Sequence, residues 1–247
     1  MNRYSRQIIL PEIGEEGQLK LSNAKVAVVG AGGLGSHVLY NLASAGVGNI
    51  KIIDSDVVDI TNLNRQILHF ESDVGREKSK SAKENLEQYN REIKIEAVTA
   101  LFDETQIAGS DVVLSCVDNK ETRYSLNSAC VSNKIPFIDG GIQGFEGYVL
   151  TVLHGVTPCY NCIFPQIHES ETGGILGATA GVIGSMMAME AIKLIVGMQQ
   201  IAHFHYVDLL SWRVTAITKE RDAGCGVCGE NHHAASASTS SYPNTSL

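Results

Sequence analysis

The sequence predicts an α/β protein of the Rossmann-like class, with a doubly wound sheet that is mostly parallel and carries antiparallel strands near its C-terminus. The first observation is an apolar, β-branched run at 26–29 that leads directly into a glycine-rich loop. The second is a series of short apolar runs separated by segments of helical periodicity, which is typical of parallel strands and their crossover helices. The third is an alternation of apolar and polar residues further along, which favours antiparallel pairing. The predicted strands are 26–29, 50–53, 93–98, 111–116 and 135–138, followed by antiparallel strands at 148–153, 203–207 and 212–218.

The glycine-rich loop predicts a nucleotide-binding site. Gly30, Gly32 and Gly35 match the G-x-G-x-x-G fingerprint, and Gly33 lies between them. Glycine lets the backbone approach a phosphate, and the helix that follows offers free N–H groups at its N-terminus. Asp54 follows the second strand, about 20 residues beyond the glycines, where a ribose-binding carboxylate is expected. On its own, this pattern indicates a nucleotide and nothing more specific.

Two further charged residues fall where ligands gather in such folds. Asp118 follows the strand at 111–116, and the carboxyl ends of parallel strands share one edge of the sheet. Lys78 lies in the first half of a helix predicted at 75–89, close enough to its start to face the nucleotide, although a lone lysine there is usually solvent-exposed. Further along, a glycine-rich stretch at 173–184 predicts a loop before a helix at 185–195.

Four cysteines form two C-x-x-C pairs, Cys159 with Cys162 and Cys225 with Cys228. Two such pairs supply the thiolates of a tetrahedral zinc site, and four protein ligands leave no open position for catalysis. A redox-active C-x-x-C is the alternative, but the Pro and Gly turns beside the pairs favour a structural metal. The zinc would attach the C-terminal segment to the body of the protein.

Composition limits the classes of function. The chain has 247 residues, 44% of them hydrophobic, and a formal net charge of -8, which argues against a nucleic-acid-binding surface. No apolar run looks long enough to cross a bilayer, and the N-terminus lacks the apolar core of a signal peptide, so we expect a cytoplasmic protein. We expect one folded domain at 1–230 and a disordered tail at 231–247, where Ser, Ala, Thr, Asn and His dominate.

Several motifs occur in an order that resembles a known family. They are Arg3 to Gln7 (RYSRQ), the loop Gly30 to Gly35, Asn62 to Gln66 (NLNRQ), Lys78, Cys116 to Asn119 (CVDN) and the paired cysteines. Together they resemble the ThiF/MoeB/HesA family, the bacterial relatives of ubiquitin-activating enzymes, over nearly everything from Arg3 to Gly229. The glycine motif alone has little specificity, whereas its combination with NLNRQ, Lys78, Asp118 and four zinc cysteines is specific.

The resemblance implies an adenylyltransferase that activates the C-terminal Gly-Gly carboxylate of a small ubiquitin-like sulfur carrier protein, such as ThiS or MoaD, and that works as a homodimer. It implies that the glycine loop lies along ATP and that Asp54 binds the ribose. It also implies that Asp118 coordinates Mg²⁺ and that Arg6 reaches the phosphates in the partner subunit. The residues implied as phosphate ligands are Asn62, Arg65 and Lys78; those implied as catalytic are Arg65, Lys78, Asp118 and Arg6; and the paired cysteines are implied as zinc ligands.

One departure from the family pattern bears on the mechanism. ThiF-like members carry a cysteine before the second glycine-rich segment and use it to hold the carrier covalently, whereas 164–174 contains none here. Cys116 and Cys130 lie in predicted core segments, so the departure favours activation by adenylation alone. No rhodanese-like segment follows Cys228, so we expect sulfur to come from another protein. The motifs leave thiamine and molybdopterin biosynthesis open as the pathway.

Two other functions stay open on the residues. An NAD-dependent oxidoreductase explains the glycines and Asp54 but gives no role to Arg65, Lys78 or the cysteines. A non-catalytic family member would keep the fold and bind a partner. Such a protein would be expected to lose phosphate or metal ligands, and all of those implied by the resemblance are present in this sequence.

Overall fold

The centre of the protein is one sheet of eight strands, seen in a computed structural model that describes residues 3–165, 173–198 and 203–229. The strands are β1 Lys25–Val29, β2 Asn49–Ile53, β3 Lys94–Val98, β4 Val112–Ser115, β5 Phe137–Gln143, β6 Glu146–Val152, β7 Phe204–Asp208 and β8 Arg213–Ile217. Their order across the sheet is β3-β2-β1-β4-β5-β6-β7-β8. The first five are parallel, and β6, β7 and β8 pair antiparallel. The predicted fold class is therefore confirmed, while the tail predicted at 231–247 lies outside the described residues.

Helices cover both faces of this sheet. Within the described residues they are α1 Ser5–Ile8, α2 Gly14–Asn23, α3 Gly33–Ala45, α4 Lys78–Tyr89, α5 Lys120–Ser132, α6 Tyr160–Ile163 and α7 Gly177–Val196. On one face α2, α3, α4 and α7 form an apolar cluster with the sheet that includes Leu21, Leu86 and Met187. On the other face Leu126 of α5 packs in a second cluster with Phe137. Because both faces are covered, the parallel strands are continuous apolar runs in the sequence.

The strand order determines where a ligand binds. β1 lies between β2 and β4, so the order of connection reverses between β1 and β4. Ligands of open α/β sheets bind outside the carboxyl ends of the strands at such a point. Gly30, Asp54 and Asp118, which follow or closely follow β1, β2 and β4, therefore converge at one edge.

The helix α7 begins earlier than the sequence predicts. The glycines at 173–184 favoured a loop there, but the helix already starts at Gly177. A Cβ atom at Gly184 would lie 2.9 Å from the carbonyl oxygen of Leu34, and one at Gly181 would lie 3.2 Å from the ring of His37. The glycines therefore let α7 pack closely on α3, and this packing outweighs their low helix propensity.

By length and composition α7 is also apolar enough to cross a membrane, with a mean hydropathy of 1.5 over its most apolar window. The expectation that no apolar run has that length was therefore wrong. In this structure 50% of the window is buried, and the helix packs on α3, β5 and β6. Part of its apolar composition belongs to the core, where Ile183, Met187, Ala188, Ala191 and Val196 are buried.

Candidate nucleotide site and metal centre

A cleft of about 430 Å³ lies at the carboxyl edge of the parallel strands. It is formed by residues that follow β1, β2 and β4, by the segment 65–66 and by the end of β5. Of the predicted nucleotide-site residues, those that line it are Gly30, Gly32, Gly33, Asp54, Arg65, Lys78 and Asp118. The structure thus brings together most of the predicted site from separate parts of the chain.

Two glycines of the fingerprint occupy positions that exclude any side chain. Gly30 has a φ of +97°, and a Cβ atom there would lie 2.5 Å from the carbonyl oxygen of Cys116. Gly35 lies in α3 and does not line the cleft, and a Cβ atom there would lie 2.0 Å from the carbonyl oxygen of Gly30. Gly35 therefore lets α3 pack against the loop, which is the usual role of the third glycine of the fingerprint.

Asp54 holds the loop from the end of β2. Its Oδ2 accepts a hydrogen bond from the N–H of Ala31 at 2.7 Å, and its Oδ1 accepts one from the N–H of Asp56 at 2.8 Å. Burial raises the pKa of Asp54, and the two backbone donors oppose that rise. Each carboxylate oxygen can accept more than one hydrogen bond, so Asp54 keeps capacity for the hydroxyls of a ribose.

Two of the predicted cationic side chains, Arg65 and Lys78, reach the cleft. Lys78 begins α4, is 7% exposed, and places its Nζ 2.9 Å from Oδ2 of Asp56; it is not the solvent-exposed lysine that is usual at such positions. Arg65 donates from Nη1 to the carbonyl oxygen of Thr61 at 3.1 Å and to Oδ1 of Asn64 at 2.9 Å. No acidic side chain pairs with Arg65 among the residues that the structure describes, so its charge is available to an anion.

Asp118 is exposed and lines the cleft without a structural partner. It makes no hydrogen bond or ion pair within the described part of the chain. The cap of α5 is instead Asn119, whose Oδ1 accepts a hydrogen bond from the N–H of Thr122 at 2.9 Å. A carboxylate in this position suits a Mg²⁺ ligand, because Mg²⁺ prefers oxygen ligands and is held by one or two carboxylates next to phosphates.

Two predicted residues lie outside the cleft of the single chain. Oδ1 of Asn62 accepts a hydrogen bond from the N–H of Asp59 at 3.2 Å and completes the capping box of a short 3₁₀ helix, Ile60–Asn62. Arg6 lies in α1, is exposed, and has no ion pair among residues 3–165, 173–198 and 203–229. Neither side chain lines the cleft, so a role for Arg6 at a nucleotide requires a second chain.

Several residues of the cleft were missed by the sequence reasoning, and three of them are Gln66, Arg123 and Gln143. Gln66 is 4% exposed, and its Oε1 is buried without a partner in the described structure. Its place in the NLNRQ segment was the available signal. Arg123 gave no local signal, because it lies inside a helix and its partners are spread over β5, β6 and the residues after β4.

Arg123, which lines the cleft, joins β5, β6 and the residues that follow β4. Its Nη1 donates to Oδ2 of Asp139 at 2.7 Å, to the carbonyl oxygen of Gly140 at 2.8 Å and to the hydroxyl of Tyr148 at 2.8 Å, and its Nη2 donates to the carbonyl oxygen of Val117 at 2.5 Å. The hydroxyl of Tyr148 donates in turn to Asp139 at 2.7 Å. Burial and the nearby Asp139 charge raise the pKa of Tyr148, so it keeps the proton that it donates. Because Val117 precedes Asp118, this network also fixes the backbone beside the predicted Mg²⁺ ligand.

A second cavity, of about 470 Å³, lies beside α5. Asp103 and Glu104 line it together with several serines, and no cationic side chain does. Negative charge of this kind repels a triphosphate. Of these two cavities, only the cleft at the strand ends has the charges that a nucleotide requires.

The four paired cysteines come together although the two pairs are 66 residues apart. Their Sγ atoms all lie within 4.8 Å of one another, with 3.8 Å between Cys159 and Cys162 and 3.4 Å between Cys162 and Cys228. A disulfide requires about 2.05 Å, whereas Zn–S bonds of about 2.3 Å in a tetrahedron separate the sulfurs by about 3.8 Å. The spacing fits a zinc centre with four cysteine ligands better than two redox disulfides.

Neighbouring side chains support this cysteine cluster. Lys219 donates from Nζ to the carbonyl oxygen of Cys162, and Arg221 donates from Nη2 to that of Cys228 at 2.6 Å. Four thiolates around one Zn²⁺ sum to a net charge of about -2, which these two cations would offset. Asn127 of α5 accepts a hydrogen bond from the N–H of Tyr160 at 3.0 Å and so joins the segment of the first cysteine pair to α5.

Comparison with known proteins decides the family. The ThiF family model matches residues 4–227. The chain belongs to the ThiF family. The SAMP-activating enzyme E1 of Haloferax volcanii is 38% identical over 242 residues, which is 93% of this chain and 89% of that protein. The adenylyltransferase and sulfurtransferase MOCS3 of Culex quinquefasciatus is 47% identical over 205 residues, which is 79% of this chain and 47% of that protein. The chain spans about half the length of the MOCS3 relatives it matches.

Solved structures agree with this assignment. E. coli MccB with ATP has a TM-score of 0.82 and 28% sequence identity, covering 93% of this chain and 75% of MccB. The complex of MccB with AMPCPP and MccA has a TM-score of 0.81 at 28% identity, covering 92% of this chain and 74% of MccB. The relatives of this ThiF-family protein are therefore E1-like adenylyltransferases, and the resemblance found from its motifs is confirmed.

Proposed function

We propose that this ThiF-family protein is an ATP-dependent adenylyltransferase that activates the C-terminal Gly-Gly carboxylate of a small ubiquitin-like sulfur carrier protein. The observation that carries the proposal is the cleft, where Arg65, Lys78 and Asp118 face a glycine loop at the switch point of the sheet. Two cations and an unpaired carboxylate suit a triphosphate with its metal ion. An NAD-dependent oxidoreductase requires none of the three.

The proposed reaction joins two anions. A carboxylate oxygen of the carrier bonds to the α-phosphorus of ATP, the bond from that phosphorus to its bridging oxygen breaks, and pyrophosphate leaves with the electron pair. The attacking carboxylate is already ionised at neutral pH, so the site needs no general base. It needs positive charge against both reactants and a fixed in-line geometry.

Each group of residues in the cleft has its own proposed role in this reaction. The glycine loop and the N-terminus of α3 face the phosphates, and Asp54 binds the ribose. Arg65 and Lys78 neutralise phosphate oxygens. Asp118 would hold Mg²⁺, which when bound would offset the charge on the departing pyrophosphate. Asn62 does not line the cleft, and its proposed phosphate donor is its Nδ2, because its Oδ1 is used in the capping box.

The proposed partner enters the cleft by its tail. A Gly-Gly terminus is narrow, so it can approach the α-phosphate where side chains would clash. The absence of cysteine in 164–174 supports activation by adenylation without a covalent bond between enzyme and carrier. Sulfur would then come from a separate donor protein, and the identity of the carrier, of the ThiS or MoaD kind, would decide the pathway.

The direct test is carrier-dependent exchange of labelled pyrophosphate into ATP. We expect exchange with a ubiquitin-like carrier that ends in Gly-Gly and none with the same carrier lacking those two residues. Binding of NADH, measured in parallel, tests the oxidoreductase alternative. ATP binding without exchange across the candidate carriers would favour the non-catalytic alternative.

A homodimer is part of the proposal. Large apolar side chains are exposed in two segments. One is near the N-terminus, where Ile9 is 69% exposed, and the other is 60–70, where Ile60 (57%), Ile67 (49%) and Phe70 (57%) are exposed. Exposed apolar side chains of this size favour burial by a partner when they form a patch. Arg6 adjoins the first of these segments, so a dimer formed there would carry it towards the partner's cleft.

Mixed dimers of Arg6→Ala and Asp118→Ala should regain activity that neither variant has alone. In such a dimer, the site on the Arg6→Ala subunit keeps its own Asp118 and receives a normal Arg6 from its partner. With free subunit exchange half of the dimers are mixed, and each has one intact site, so pyrophosphate exchange should return to about a quarter of wild type. Mass spectrometry verifies the mixing. Full activity of Arg6→Ala alone, or no recovery in verified mixed dimers, would contradict the role in trans.

We also propose that the four paired cysteines hold a structural zinc ion. Replacing Cys228 with serine should then lower the free energy of unfolding by several kcal/mol, because zinc binding is coupled to folding. ATP affinity should change much less, since four protein ligands leave the metal closed to substrate. Thermal unfolding, metal analysis and ATP binding measure these effects.

Cys130→Ala is the matched control, because Cys130 is buried outside the group of four paired cysteines and its loss should leave the zinc content unchanged. Zinc-free protein, freshly prepared without chelator, would contradict the proposal.

A further inference from the structure

His69 lies buried beneath the glycine loop and contacts it directly. The side chain is 4% exposed, its Nε2 lies 3.0 Å from the carbonyl oxygen of Ala31, and its Nδ1 lies 2.8 Å from Oγ of Ser81. A carbonyl oxygen can only accept, so Nε2 carries a proton, and in the neutral ring Nδ1 accepts from the Ser81 hydroxyl. Burial lowers the pKa of His69, which agrees with the neutral ring that this arrangement uses.

Both backbone polar groups of Ala31, its N–H and its carbonyl, are therefore hydrogen-bonded to side chains. Its N–H donates to Oδ2 of Asp54 at 2.7 Å, and its carbonyl accepts from His69. Ala31 itself is fully buried, so neither backbone group has water as an alternative partner. The loop residue is therefore fixed by one hydrogen bond to the end of β2 and by another to the segment before α4.

The second of these bonds sets the direction of the next amide. The peptide between Ala31 and Gly32 is planar and trans, so its N–H points away from its carbonyl. With the carbonyl directed at His69, the N–H of Gly32 is directed away from His69. Gly32 lines the cleft, and its N–H has no hydrogen-bond partner in the part of the chain that the structure describes.

We propose that His69 is a positioning residue for nucleotide binding: its hydrogen bond to Ala31 aims the N–H of Gly32 at a phosphate oxygen. The inference rests on the proposed function in taking ATP as the ligand. Without that bond the peptide before Gly32 can rotate, because glycine restricts its backbone very little. A rotated peptide would turn a carbonyl oxygen towards the phosphate and repel it.

Three substitutions separate this role from packing. His69→Gln places an amide N–H near the position of Nε2 and keeps the donor to Ala31. His69→Asn places its amide near the position of Nδ1, too short to reach that carbonyl. Asn85→Ala is the control, because Asn85 donates to the carbonyl oxygen of Leu68 at 2.9 Å and to Asp73 at 3.0 Å. Its loss loosens the same segment without touching Ala31.

The measurements are equilibrium binding of ATP with Mg²⁺ to the whole chain and the melting temperature of each variant. We expect ATP affinity to fall about tenfold in His69→Asn, to stay within about threefold of wild type in His69→Gln, and to be unchanged in Asn85→Ala. The amide resonance of Gly32 should shift on ATP binding in wild type and in His69→Gln. Equal losses of affinity in all three variants, or wild-type affinity in His69→Asn, would overturn this inference and leave the proposed function intact. A wild-type chain that binds no ATP would overturn both.

Discussion

Asp118→Ala should abolish pyrophosphate exchange while leaving the fold intact. The carboxylate lines the cleft and is exposed, and it has no hydrogen bond or ion pair within the described residues, so its removal costs no structural contact there. Losing the proposed Mg²⁺ ligand would remove charge stabilisation from the departing pyrophosphate, an effect of about a thousandfold or more in rate. Exchange assays and thermal unfolding of the same preparation measure the two quantities.

The adjacent residue provides a matched control for this prediction. Asn119 also lines the cleft, but its Oδ1 caps α5 by accepting from the N–H of Thr122. Asn119→Ala should therefore cost about 1 kcal/mol of stability and keep exchange activity within a few-fold of wild type. Asp118→Ala should therefore lower the rate of exchange, whereas Asn119→Ala should lower the free energy of unfolding. An Asp118→Ala variant that loses stability but keeps turnover would refute the metal-ligand role.

Arg123→Met should lower the free energy of unfolding by about 3–5 kcal/mol, because it breaks a buried ion pair by removing one partner. Asp139 is 0% exposed, and its Oδ1 is already without a hydrogen-bond partner in the described structure. Removing the guanidinium leaves that carboxylate with no cation and leaves the carbonyl oxygens of Gly140 and Val117 without their donor. Denaturant unfolding followed by circular dichroism measures the loss.

The double variant Arg123→Met with Asp139→Asn tests whether the unpaired charge causes that loss. It should recover part of the stability, because no uncompensated charge then remains buried. A surface pair gives the comparison: Lys51 lies 3.4 Å from Glu96, which is 62% exposed, and Lys51→Ala should cost less than about 1 kcal/mol. An Arg123→Met variant no less stable than Lys51→Ala would contradict the prediction.

The sequence by itself determined the elements whose signals are local. Short apolar runs between helical segments indicated the parallel strands, and alternation at 148–153 indicated an antiparallel strand, because each pattern depends on neighbouring residues alone. The glycine loop and Asp54 were predictable for the same reason, since a strand, a turn and a helix follow one another without a gap. The convergence of the paired cysteines was predictable, because four thiolates in two C-x-x-C pairs suit a metal ion and few other uses, and the structure does bring the four sulfur atoms together.

Only the tertiary structure decided the features that join distant parts of the chain. The glycines before 185 favoured a loop, yet Gly181 and Gly184 lie in α7, where α3 approaches too closely for side chains. A lone lysine near the start of a helix is usually exposed to solvent, yet Lys78 is buried in the cleft beside Asp56.

Contacts between distant parts of the chain also explain why sequence reasoning missed some residues. The partners of Arg123 are on β5, on β6 and after β4, and His69 meets Ala31 across 38 residues. Such contacts depend on which strands become neighbours in the sheet, and residue patterns within one segment do not encode that choice. Asp118 and Asn119 are adjacent in sequence and both line the cleft, and only the fold shows that Asn119 caps the helix while Asp118 has no partner among the described residues.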